Sequence, residues 1–136
     1  MYKKILAGLG GAVALSLLHE AIRKKFDNVP EINKVGEEAL EKMLDKVDTR
    51  VTNHEQLYAA TLAGDVIGNG MYYAATATTE FNITSGLLMG MGAVVLPEKM
   101  GLDDEPVAEN NQKKIMTVVY YLFGAVVTKL IYDRIK

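Results

Sequence analysis

Four stretches of the chain are nearly free of charge: residues 5–19, 56–79, 81–97 and 115–128. Of 15 basic and 17 acidic residues, only Asp65 lies inside them. The first stretch extends through Glu20 to Ile22. The last extends through Lys129 to Tyr132, where a lysine near a helix end can lift its ammonium toward water along an apolar stem. Extended in this way, the stretches approach the ~20 apolar residues that a membrane-crossing helix needs. None has the continuous polar face of a surface helix in a soluble bundle. The pattern predicts membrane helices over 5–22, 53–78, 82–97 and 107–133, within a single domain spanning 1–136. The alternative is a soluble bundle in which the same stretches form core helices.

The polar insertion at 21–55 holds 7 Lys/Arg and 8 Asp/Glu. Within it Ile32, Val35, Ala39, Leu40, Met43, Leu44 and Val47 recur at helical spacing, and Pro30 suits a first turn. An amphipathic helix is predicted over 30–48, with Glu37, Glu38, Glu41, Lys42, Asp45 and Lys46 on its outer face. That face lacks the Lys/Arg bias of lipid-surface helices, so the helix is expected to dock across the loop ends of the bundle. Thr52-Asn53-His54-Glu55 fits a capping box and sets the next helix start near Asn53. The short turn at 79–84 makes the second and third membrane helices antiparallel neighbours. Pro97 ends the third, and a helix starting near Pro106 follows the acidic loop.

Glycine usage sharpens the membrane reading. Of the 12 glycines, only Gly36 and Gly101 fall outside the four stretches. Each glycine in a helix interior costs about 1 kcal/mol relative to alanine in water, whereas in a bilayer small residues let helices approach closely. Gly64-Asp-Val-Ile-Gly68 and Gly86-Leu-Leu-Met-Gly90 are both GxxxG rows, and Gly8, Ala12 and Ser16 make a third small-residue row. Gly64, Gly68, Gly86 and Gly90 are therefore the expected packing positions.

Composition removes several functions. There is no cysteine, so thiolate metal sites and cysteine nucleophiles are excluded, and two histidines are too few for a His-rich metal centre. A net charge of −2 argues against a protein that coats nucleic acid. No phosphate-binding loop, zinc-protease motif or nucleophile–His–acid set is present, and no cofactor is implied. The expected partners are membrane lipid, a second copy of the chain or another membrane protein. Met1–Lys4 followed by an apolar run resembles the start of a signal peptide, but His19-Glu20 offers no small-residue cleavage site, so a retained first helix is expected.

Asp65 is the outstanding candidate. A carboxylate at mid-span costs roughly 2.5–3.5 kcal/mol on insertion scales, and so requires a partner or water. Thr61, Asp65, Asn69 and Tyr73 fall at successive i, i+4 positions and form one polar stripe, with Ala60, Gly64 and Gly68 beside it. Both rows are expected to face the bundle interior, where Lys129 lies at a depth that permits pairing with Asp65. His19 and Glu20 sit near the loop-side surface as interfacial polar residues.

Lys/Arg asymmetry puts the 21–55 and 98–114 loops in the cytoplasm, and the expected location is the cytoplasmic membrane of a bacterium. Three functions are consistent with these residues. The leading one is a non-enzymatic component acting through helix–helix assembly. The second is transport or a proton or ion relay through Asp65 and Asn69. The third is a lipid-interface enzyme using His19 and Glu20.

Overall fold

The structure, a computed structural model, describes residues 1–47, 49, 52–78 and 82–136. Among these residues all regular structure is helical: α1 (Tyr2–Lys25), α2 (Ile32–Asp45), α3 (His54–Ala75), α4 (Asn82–Lys99), α5 (Glu105–Ala108) and α6 (Asn111–Ile135). The helical-bundle expectation holds. Among the described residues two helices, α1 and α6, are long and apolar enough to cross a membrane; α3 (22 residues) and α4 (18 residues) are long enough but not apolar enough.

The boundaries differ from the sequence reading for local reasons. Asn53, not Thr52, caps α3: its side chain accepts from the backbone amides of Glu55 (2.8 Å) and Gln56 (3.3 Å). The predicted helix over 107–133 is two elements. Asn110 has extended backbone and accepts from the Lys113 amide at 3.0 Å, which starts α6 afresh after the short α5. Pro97 does not end α4 but sits inside its last turn. The stop comes from Gly101, whose φ of +78° lets Leu102 N–H reach the Pro97 carbonyl (2.8 Å) and Gly101 N–H reach that of Glu98 (3.1 Å). This is the Schellman closure, which a side chain at the glycine would strain.

Helix packing follows the small residues. α1 lies between α3 and α6, and α6 in turn packs on α4. A Cβ on Gly8 would overlap the backbone of Gly70 and Ala74 in α3, and one on Gly11 would overlap Thr128 and Gly124 in α6. Gly86 and Gly90 press on Ala125 and Val118 of α6, as expected of packing positions. Gly64 and Gly68 do the reverse: both are exposed, with no atom within 4 Å of a built Cβ. The Ala60/Gly64/Gly68 row thus faces outward rather than into the bundle. α3 and α4, consecutive in the chain, barely pack on each other, because α1 and α6 stand between them in the order of contact.

The core is made of Ala12, Leu15, Tyr73, Tyr120, Tyr121 and Ala125. Thr117, Thr128 and Asn82 are completely buried, whereas Leu17, Ile67, Leu88 and Leu130 are between 59% and 66% exposed. The hydroxyls of Thr117 and Thr128 return to the carbonyls one turn back, at 2.8 Å each, which lets them sit inside. Alanines, glycines, threonines and three tyrosines fill most of the interior, and most of the large aliphatic side chains lie outside.

Gly8→Ala is expected to lower the melting temperature of the purified protein, because the added methyl meets backbone that cannot swing aside. Gly64→Ala should leave it unchanged or raise it, by up to about 1 kcal/mol of helix propensity. Gly101→Ala should destabilise by roughly 1–2 kcal/mol through left-handed strain. Thermal unfolding of the three variants side by side checks all three statements.

Candidate functional site

The gap between α3 and α4 is a cleft of about 480 Å³. Its floor is Tyr121 of α6, and its walls are Asp65 and Tyr72 of α3 and the Leu88–Pro97 side of α4. α2 roofs it with Ile32, Val35, Gly36 and Ala39. The far end is tied shut where the Tyr72 hydroxyl donates to the Ser85 carbonyl at 3.0 Å. Its neighbour Tyr73 donates to the Tyr121 carbonyl at 2.7 Å, so adjacent tyrosines of α3 hold α4 and α6 respectively.

α2 is bolted in place by groups from other elements. Its own N-cap residue, Glu31, makes no side-chain cap bond. Instead the Ile32 amide donates to His19 Nε2 at 3.0 Å, and the Glu31 amide donates to the Pro106 carbonyl at 2.9 Å. An accepting Nε2 carries no proton, so the neutral ring holds its proton on Nδ1, which lies 3.6 Å from Glu20. At the other end Lys42 donates to the Gly101 carbonyl, and the Asp103 amide donates to Glu38 at 2.9 Å.

The crossing of α2 over α3 centres on Gly36. A Cβ there would overlap Thr61 and would stand 3.5 Å from the Asp65 carboxylate. Glu37, expected on the outer face, is instead only 8% exposed. One oxygen each of Asn33, Glu37 and Thr61 is buried without a hydrogen-bond partner among the described residues. Such orphan acceptors cost about 1–3 kcal/mol apiece.

Asp65 lines two spaces. One is the large cleft; the other is a narrow crevice of about 20 Å³ between α1, α2 and α3, bounded also by His19, Glu20, Asn33, Tyr58 and Asn69. The crevice is the size of a single water. At its loop-side mouth Arg23 donates to Glu20 at 2.7 Å and lies over the Tyr58 ring at 5.9 Å.

The expected polar stripe is therefore split. Thr61 is buried under α2, Asp65 faces the two spaces, Asn69 lines the crevice and Tyr73 is consumed in a structural hydrogen bond. Lys129 does not join Asp65; it pairs with Asp133 one turn along α6 at 2.7 Å, its shortest route to an anion. Asp65 makes no ion pair or hydrogen bond among the described residues. Tyr121 lines the large cleft together with Asp65. Tyr72, Tyr121 and Arg23 were not singled out as site residues from the sequence. The one available signal was Gly36, a lone glycine inside an amphipathic helix, which marks close approach of another element.

Comparison with protein-family models, with characterised proteins and with solved structures returns no match to this chain.

Replacing His19 with leucine keeps the bulk and removes the acceptor of the Ile32 amide. Amide exchange at the start of α2 is expected to accelerate severalfold, with α3 and α6 unaffected. Hydrogen–deuterium exchange by mass spectrometry reads both regions in one experiment.

Proposed function

We propose that the protein is an integral membrane protein in which α1, α3, α4 and α6 span the bilayer. In this reading α2 lies at the loop-side surface and the α3/α4 cleft takes up a small lipophilic molecule beside Asp65. The observation that carries the membrane assignment is where the large aliphatic residues lie: Ala, Gly, Thr and Tyr make up most of the interior, joined by Leu15, Val29, Leu57 and Val107, while Leu, Ile, Val and Met dominate the exposed apolar side chains. In water that exterior would be a large contiguous apolar surface of the kind monomeric soluble proteins avoid. In lipid it costs nothing, and close packing of small residues supplies the cohesion. Protein-buried space beside an unpaired intramembrane acid favours the transport or relay class.

The enzymatic alternative is disfavoured by the use already made of its residues. His19 Nε2 is occupied in capping α2, and Glu20 is occupied by Arg23. Assembly remains a second reading, supported by the open Ala60/Gly64/Gly68 row on α3.

The absence of native cysteine makes the topology directly testable. The protein is expected to resist alkaline carbonate extraction. Single-cysteine variants at Glu41 and Asp103 should react with an impermeant maleimide from one side of sealed vesicles. A variant at Thr78 should react from the other side, and variants at Leu17, Ile67 and Leu130 should stay unlabelled until detergent is added. Release by carbonate, or labelling of Glu41 and Thr78 from the same side, overturns the four-span reading.

A further inference from the structure

We infer that the ligand of the α3/α4 cleft is a lipophilic organic cation, such as a hydrophobic amine or quaternary ammonium compound, held with its charge against Asp65. The inference rests on the reading of the cleft as a ligand site and adds the chemistry of the occupant. Three features of the cleft carry it.

The first is charge. Among the side chains that line the cleft, Asp65 alone is ionisable near neutral pH, and no Lys, Arg or His is among them. An anionic ligand would meet an unpaired carboxylate with nothing to offset it, and a neutral one would leave that carboxylate unmatched. A cation supplies the counter-charge that the protein itself withholds, since Lys129 is committed to Asp133 and Arg23 to Glu20.

The second is the remainder of the lining. Tyr72 and Tyr121 stand with Asp65, and aromatic rings are the usual neutral partners of organic cations. Elsewhere the cleft is lined by Val35, Leu88, Met89, Leu96, Met100 and Val107, which suit an apolar body. A volume of about 480 Å³ falls in the range of sites for drug-sized molecules.

The third is depth. Asp65 is about 16 Å along α3 from His54, at 1.5 Å per residue. A phospholipid with an amine headgroup would have to bring its phosphate to that depth, where no cation meets it. The charge of the ligand must therefore be carried on a body that is itself soluble in hydrocarbon.

The test is dye binding to the full chain in nanodiscs of zwitterionic lipid, measured against empty nanodiscs by fluorescence anisotropy. Rhodamine 6G serves as the lipophilic cation and Nile red as the neutral lipophile. Saturable rhodamine binding is expected, weakened about tenfold or more by Asp65→Asn and retained by Asp65→Glu. Nile red binding should be indifferent to Asp65→Asn, which also shows that the cleft survives the substitution. Ala39→Phe, which fills the cleft from the roof and leaves the Asp65 side chain in place, should weaken both dyes. Equal rhodamine binding by the native protein and Asp65→Asn overturns the cation inference, while sensitivity of both dyes to Ala39→Phe would keep the cleft as a ligand site. Saturable binding of neither dye overturns the inference and the ligand-site reading together, leaving the topology to stand on the labelling experiment.

Discussion

The closeness with which α1 approaches its two neighbours governs the rest of the molecule. Gly8 lies on the backbone of α3 and Gly11 on that of α6, so no side chain keeps either pair apart. With α1 wedged between them, α3 and α6 touch only lightly, and α4 packs chiefly on α6, with a lesser contact to α5 and the Tyr72–Ser85 hydrogen bond to α3. The four long helices therefore do not close into a square bundle. The gap left between the first and last members of the row, α3 and α4, is the cleft. A single methyl at Gly8 would disturb a site whose residues lie on other helices.

A row left open in this way needs something across it, and α2 meets that need with very little cohesion of its own. It begins without a cap from its own residues and buries orphan oxygens of Asn33 and Glu37 where it crosses α3. Its position is determined from outside, by His19 at one end and by Gly101 and Asp103 at the other. The roof of the cleft is thus tied to both α1 and the α4–α5 connection, the two places where loop-side movement would be felt. An element held by a few peripheral bonds over an apolar space is drawn from the low-stability end of a fold, as ligand-gating segments generally are.

Asp65 derives its character from this arrangement. On α3 it is flanked by residues that found structural employment: Thr61 under Gly36, Tyr73 on the Tyr121 carbonyl. Asp65 makes no ion pair or hydrogen bond among the described residues and lies between a one-water crevice that leads toward Glu20 and an apolar cleft that leads toward α4. It is the combination of an unpaired acid with two differently lined spaces, not the acid by itself, that points to ligand handling.

The segregation of charge announced the helical content and the number of long helices and marked Asp65 as the one charge inside an apolar stretch, because burial and hydration act on each residue whatever its partners. The amphipathic spacing of Ile32 to Val47 likewise announced α2. Chain order and spacing could not tell which of several equivalent small-residue rows is used. Gly86 and Gly90 pack, while Gly64 and Gly68, in the same motif, face outward, since a GxxxG row states only that a close approach is possible and the partner helix decides whether it occurs. The same holds for Lys129, whose depth allowed Asp65 but which pairs with Asp133 on its own helix, and for Glu37, which lies buried rather than on the outer face. Composition and periodicity are properties of one segment; the cleft, its roof and its solitary charge are relations among four segments, and those exist only after the helices have chosen their neighbours.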